Sequence, residues 1–333
     1  MKALLSSSPG GPETLALGEL PDPVPGEGEV LIAVRGCGIN FLDTLIIQDL
    51  YQQKPPRPFA PGSEISGVIE AVGTGVTQWK TGDRVVGMPL VGGMAEKIVM
   101  GADKVFALPD AIDFTAGAGL LLTYGTAIHA LKDKARMQPG ETLLVLGAGG
   151  GAGLAAVEMG KALGLRVIAA VSGEAKAQAA RDAGAEDVVI YPRAPFDGDQ
   201  ARAMSKAFKN ACGGEGADIV FDAVGGDYAE PAMRALAWRG RYLVIGFAAG
   251  IPTLPLNLGL LKEADICGVF YGAFTERDPQ HNAALTAELM ELAATGKIRS
   301  HVSATRPLGL GGEAIALLSD RQAVGKVVVT IQD

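Results

Sequence analysis

From about residue 114 onward the pattern changes to short unbroken apolar runs alternating with alanine-rich stretches. The runs at 143–147, 165–171, 187–190, 218–222, 242–246 and 265–270 each have the length of a buried strand. The stretches at 154–163, 175–183 and 200–211 are rich in helix formers. Apolar runs alternating with helices are the pattern of a parallel sheet covered on both faces. The expectation is an α/β fold with a doubly wound parallel sheet of six strands. Residues 1–110 read differently. Runs at 29–35, 66–72, 83–87 and 96–100 alternate with dense Pro and Gly punctuation, as in Pro21-Asp22-Pro23-Val24-Pro25-Gly26. That pattern predicts a small barrel or sandwich. After about residue 272 come one long helix, 280–295, and a β-branched strand, 326–331, expected to rejoin the first domain's sheet. The expected division is therefore 1–118 with 272–333 for a discontinuous β-rich domain, and 119–271 for the parallel-sheet domain inserted in it.

The junction of the first apolar run with its helix carries the strongest chemical signal. Gly147-Ala148-Gly149-Gly150-Gly151-Ala152-Gly153 places five glycines in seven residues between strand and helix. Glycine allows the tight turn and lets backbone N–H groups approach a pyrophosphate. The following helix N-terminus adds free donors and partial positive charge. A flexible turn would have the same composition, so the second strand decides. It ends at Ser172-Gly173-Glu174-Ala175-Lys176, where a dinucleotide's adenosine ribose is expected. A small hydroxyl at Ser172 and an ammonium at Lys176 suit a 2′-phosphate, which a carboxylate would repel; the reading is NADPH rather than NADH. Glu174 competes with it and is read as a solvated charge in the helix's first turn.

Composition narrows the alternatives. The 333-residue chain carries a net charge of −8 and no long basic run, which argues against nucleic acid or an anionic membrane as partner. Its start lacks the apolar core of a signal peptide, and no 18-residue apolar run is present, so the reading is cytoplasmic. Cys37, Cys212 and Cys267 are too few for a disulfide framework or a four-cysteine zinc lobe. His129, His281 and His301 form no ligand-spaced motif.

The order of motifs resembles the medium-chain dehydrogenase/reductase superfamily, and within it the zinc-independent NADPH:quinone oxidoreductases of the zeta-crystallin-like branch. The resemblance spans essentially the whole chain. It is carried by Gly38-Ile39-Asn40-Phe41-Leu42-Asp43-Thr44, Pro61-Gly62-Ser63-Glu64-Ile65-Ser66-Gly67-Val68, Thr81-Gly82-Asp83-Arg84-Val85, the glycine turn, Asp222-Ala223-Val224-Gly225-Gly226 and Gly325-Lys326-Val327.

This resemblance implies a Rossmann domain inserted into a GroES-like catalytic domain. In the zinc alcohol dehydrogenases a Cys and a His of the first domain bind catalytic zinc. Asn40 and Ser63 stand at those positions here, and an amide and a hydroxyl are poor zinc ligands. The implied enzyme needs no metal and delivers hydride from NADPH to an acceptor that is already electrophilic. The resemblance also implies the site residues. Asn40, Asp43, Tyr51 and Thr126 belong to the reacting centre. Thr126 again with Gly149, Gly150, Gly151, Ala152, Ser172, Lys176, Tyr191, Val224, Phe247 and Arg321 belong to the cofactor site. Leu45, where bacterial relatives tend to have tyrosine, and the aromatic segment Phe270-Tyr271-Gly272-Ala273-Phe274 leave the acceptor open. A quinone is the first reading; an enone or enoyl-CoA thioester of the acryloyl type is the second. A non-catalytic NADPH-binding protein is the alternative from another class. Relatives dimerise through edge strands, and the apolar stretch 242–269 is expected to serve a homodimer in that way.

Overall fold

The computed structural model describes residues 1–332. The chain divides into two compact units, Met1–Leu122 with Arg299–Asp333, and Thr123–Ile298.

The first unit opens with β1 (Lys2–Leu5), β2 (Ala16–Glu19) and the long β3 (Glu29–Ile39), followed by the short helix α1 (Phe41–Ile46). Next come β4 (Ile65–Val72), β5 (Arg84–Gly87), β6 (Lys97–Gly101), β7 (Val105–Ala107) and α2 (Phe114–Gly117). β3 extends four residues past the expected end at Arg35. Its continuation, Gly36-Cys37-Gly38-Ile39, has too little apolar alternation to read as strand, yet it pairs with β4 on one side. A side chain at Gly38 would run into the Ala118 carbonyl, which explains the glycine there.

The second unit begins within α3 (Leu121–His129) and alternates strand with helix. Its elements are β8 (Thr142–Leu146), α4 (Gly151–Ala162), β9 (Arg166–Val171), α5 (Glu174–Asp182), β10 (Asp187–Ile190), α6 (Gly198–Ala211) and β11 (Ala217–Asp222). They continue with α7 (Ala229–Arg234), β12 (Leu236–Val244), α8 (Asn257–Lys262), β13 (Asp265–Gly268), α9 (Tyr271–Arg277) and α10 (Pro279–Ala294). The six strands are all parallel, in the order β10-β9-β8-β11-β12-β13. This is the expected doubly wound sheet, and the order reverses between β8 and β11. Leu144, Leu146, Ile168, Phe208, Val220 and Tyr242 fill its core.

The chain closes with β14 (Val302–Pro307), α11 (Gly311–Ser319) and β15 (Lys326–Thr330). β15 pairs antiparallel with β3, placing Val327 opposite Ile39 and Val328 opposite Gly38. The last strand thus rejoins the first unit's sheet, which has seven strands.

The second domain boundary falls at 298/299 rather than the expected 271/272. The reason is packing. Phe274 of α9 stacks on His129 of α3 with ring centroids 4.0 Å apart, and Lys132 bonds Glu288 of α10 at 2.5 Å. Both helices therefore belong to the parallel-sheet unit. The first boundary moves only from 118/119 to 122/123. Cys37 and Cys212 are buried, whereas Cys267 is half-buried on β13, the sheet's edge strand. Among the described residues, no helix is long and apolar enough to cross a membrane.

Candidate active site

The glycine turn lies between β8 and α4, where the strand order of the parallel sheet reverses. Ligands of such sheets bind at the carboxyl ends of the strands beside this reversal. Gly147 is left-handed, with φ +70°, and a side chain at Gly153 would strike the Gly147 carbonyl. The turn therefore draws α4 tightly onto β8. Gly150 caps α4 with extended backbone, and a Cβ there would meet nothing closer than 3.6 Å. Gly151 and Ala152 form the first turn of α4. The Gly150 N–H donates to the Gly147 carbonyl at 3.0 Å, and the first-turn N–H groups of Gly151 and Ala152 are the ones suited to an anion.

The stem of Lys176 passes directly over Gly149: a Cβ on Gly149 would lie 2.6 Å from its Cγ and 2.9 Å from its Cδ. Lys176 on α5 and the glycine turn thus form one surface. Ser172 follows the last residue of β9 and is half-buried. Glu174, the acid that might have occupied the ribose position, is exposed and bonds Arg181 along the same helix at 2.8 Å. Tyr191 is buried beside β10, its ring 4.9 Å from that of Tyr228.

Across the reversal point, Asp222 ends β11 and is 3% exposed. Its Oδ1 accepts from the N–H groups of Val224 at 2.8 Å and Gly225 at 2.9 Å, and its Oδ2 accepts from the Tyr242 hydroxyl at 2.5 Å. Burial pushes this carboxyl up, and the three hydrogen bonds oppose the shift. The loop after β11 is thereby fixed, with Val224 against Gly147. Phe247 follows β12 and is exposed, its ring edge close to Gly225. Thr126 sits in the middle of α3. Tyr271 is buried and its hydroxyl bonds Asn282 at 2.9 Å, while Phe274 lies on His129. Of the three aromatics open to an acceptor role, only Phe270 is exposed.

In the first unit, Asn40 and Asp43 meet at the start of α1. Asn40 is the N-cap residue, and its backbone N–H donates to Asp43 Oδ2 at 2.7 Å. Asp43 also accepts from the Ser63 hydroxyl at 3.2 Å and the Gly62 N–H at 3.3 Å. It is 1% exposed, and desolvation raises its carboxyl to about 6 against the opposing pull of these donors and the Lys326 charge. The same burial, with Asp43 and Glu64 nearby, pushes the Cys37 thiol up.

Two further residues complete this cluster, and sequence reasoning did not single them out. Glu64 is fully buried and Lys326 is 3% exposed. Lys326 Nζ donates to Glu64 Oε2 at 2.7 Å and to Asn40 Oδ1 at 2.5 Å. Asn40 Nδ2 donates to Glu64 Oε2 at 3.2 Å, with longer contacts to the Gly38 carbonyl at 3.3 Å and Ser63 Oγ at 3.4 Å. The other Glu64 oxygen accepts from the Leu122 N–H at 3.1 Å. Tyr51 lies half-buried in the turn beyond α1, where desolvation raises its phenol. Arg321 is exposed just after α11 with a left-handed φ of +58°.

Asn40 and Ser63, at the positions of two zinc ligands in the alcohol dehydrogenases, are hydrogen-bond neighbours. The Lys326 ammonium already holds the amide oxygen, and the hydroxyl donates to Asp43. A divalent cation would face poor donors and a like charge, so these residues do not fit a catalytic zinc. Among the described residues, no group of three or more His, Cys, Asp or Glu could hold a metal ion.

Comparison with known proteins gives this geometry a family. Residues 26–110 match the alcohol dehydrogenase GroES-like domain, and residues 151–288 match a family described as zinc-binding dehydrogenase. A quinone oxidoreductase-like protein 2 homolog of Nematostella vectensis is 37% identical, covering 91% of this chain and 82% of its own. Human quinone oxidoreductase is 32% identical, covering 99% and 98% of the two chains. Among solved structures, a mycobacterial protein complexed with NADPH superposes with a TM-score of 0.90 at 32% identity, over 99% of both chains. Escherichia coli quinone oxidoreductase complexed with NADPH gives 0.88 at 30% identity, over 99% of this chain and 100% of its own. A Rossmann sheet inserted in a GroES-like domain, with these matches, defines an oxidoreductase of the medium-chain dehydrogenase/reductase class. Within that class the chain belongs to the quinone oxidoreductase family.

Proposed function

We propose that this chain is an NADPH-dependent quinone reductase that transfers hydride without a metal ion. The observation that carries the cofactor half is the Lys176 stem lying on Gly149 while Glu174 is turned to Arg181. This pairing sets a cation beside the glycine turn and ties Glu174 back along its own helix. The quinone half is supported by the quinone oxidoreductases among its relatives.

In this reading the N–H groups of Gly151 and Ala152 hold the pyrophosphate, Gly149 and Gly150 leave room for it, and Ser172, Lys176 and Tyr191 hold the 2′-phosphate. Val224 and Phe247 flank the nicotinamide, with Thr126 and Arg321 as further contacts. NADPH, when bound, supplies a hydride from nicotinamide C4. Asn40 offers an amide donor to the nicotinamide or the acceptor, and Asp43 fixes the backbone of Asn40. Tyr51 holds a phenolic proton for the reduced product. The protein's contribution is orientation and exclusion of water. The active form is a homodimer built on the β13 edge.

The test is NADPH oxidation with 1,4-benzoquinone and a naphthoquinone, set against an enone and an acryloyl thioester. A kcat/KM at least tenfold higher for the quinones is expected, unchanged by EDTA or added zinc. Faster reduction of the enone or thioester would reassign the acceptor. Tight NADPH binding without turnover on any of them would reassign the protein as a binder.

A further inference from the structure

A buried ion pair is by itself weak evidence for anything, because desolvation offsets most of its attraction. The pair between Lys326 and Glu64 has an added feature: both partners reach the same third side chain. The ammonium meets the oxygen of the Asn40 amide, and the carboxylate meets its nitrogen. Positive charge on the oxygen end and negative charge on the nitrogen end match the amide dipole. Turning the amide over would set its NH2 against the ammonium and its oxygen against the carboxylate. Both contacts would then repel, so one orientation is selected. An ammonium on the oxygen also draws electron density from the amide and strengthens its N–H groups as donors. One Nδ2 hydrogen faces Glu64. The remaining contacts, to Gly38 and Ser63, are the longest the amide makes, so its second hydrogen is the more weakly held.

We propose that Glu64 and Lys326 are positioning residues: their ion pair locks and polarises the Asn40 amide so that Asn40 meets its ligand only as a hydrogen-bond donor. The group it faces is then an acceptor, such as a carbonyl oxygen of the quinone or of the nicotinamide carboxamide. This rests on the reading above that Asn40 touches nicotinamide or acceptor, and the experiment separates the two ideas.

Asparagine occurs only at positions 40, 210, 257 and 282, so selective 15N-asparagine labelling gives four side-chain amides. The Asn40 pair is assigned by its loss in Asn40→Ala. In the NADPH-free wild type the Asn40 amide protons are expected apart from the ordinary asparagine range and slow to exchange. The double variant Lys326→Met with Glu64→Gln removes both charges of the pair, so neither partner is left buried without the other. It should return the Asn40 resonances to the ordinary range. It should also lower kcat with benzoquinone at least tenfold, while KM and the NADPH dissociation constant change less than threefold. Lys326→Arg, which keeps the charge, should recover part of kcat. Ordinary, fast-exchanging Asn40 resonances in the wild type overturn the proposal whether or not the double variant folds. Unchanged kcat in a folded double variant overturns it too, provided Asn40→Ala is impaired. Full turnover in Asn40→Ala would instead remove the reading of Asn40 on which the proposal stands.

Discussion

Lys176 contributes both a stem that covers Gly149 and a charge beside the end of β9. On the proposed reading, truncation to Ala removes a charge-assisted contact to the 2′-phosphate, which NADH lacks. Lys176→Ala should weaken NADPH by about 1.5–3 kcal/mol and leave NADH nearly unaffected, as calorimetric titration of both cofactors would read. Equal loss for both would mean that Lys176 does not read the phosphate. Asp43 makes a different prediction at the same scale. Its carboxyl is raised from 3.8 to about 6 in the folded chain, so between those values the folded state binds the proton more tightly than the unfolded state. Its contribution to stability is therefore present at low pH and falls as pH rises through that window, by about 3 kcal/mol when fully expressed. In urea unfolding from pH 4 to 7, wild type should lose ground to Asp43→Asn as pH increases; a constant difference would contradict the shift. Asn40 and Asp43 were legible in one motif because they are three residues apart. Glu64 and Lys326 were not, because their contact joins positions 262 residues apart in sequence. Each is a lone charge entering an apolar strand, and such a charge needs a partner once buried. That signal marks the residue but does not name the partner.

At the level of elements, the strands and helices of the parallel-sheet unit followed the apolar runs closely, and β10 matched its expected bounds. β12 did not: it begins at Leu236, which pairs with Ala217 of β11, and after an irregular stretch with a left-handed Arg239 it pairs regularly only from Arg241. Pairing of this kind is a property of the neighbour and leaves no mark in the strand's own sequence. The glycine turn supports a contrast between two glycines. Gly153→Ala forces a methyl into the Gly147 carbonyl and should cost about 1–3 kcal/mol of stability, with cofactor affinity lost as α4 moves away. Gly150→Ala has room for its methyl and an extended backbone, so stability should change by less than about 0.5 kcal/mol. Its effect should instead fall on dinucleotide affinity, since the methyl would sit beside the N–H groups proposed to face the phosphates. Thermal unfolding and cofactor titration on the two variants separate these outcomes.

For the molecule as a whole, the inserted arrangement of domains was legible from the change in pattern near residue 114 and from the β-branched run at the end. The position of the second boundary was not, because α9 and α10 are tied to α3 and the segment after it by ring stacking and an ion pair that no periodicity encodes. Assembly is decided at the same scale. β13 pairs on one side only, and Ile251, Leu256, Leu260 and Leu261 nearby are exposed. An open strand rim beside apolar side chains is a surface for pairing. Light scattering should give a mass near twice the 34.2 kDa of one chain, and Leu256→Glu with Leu260→Glu should reduce it to that of one chain. Two of the three thiols are locked in cores, and the third, Cys267, stands on that rim. An alkylating reagent applied to native protein would thus find one position to mark. Its uptake should slow as protein concentration rises and quicken in the leucine variant, so that a single sulfur atom acts as a built-in gauge of whether the rim is covered.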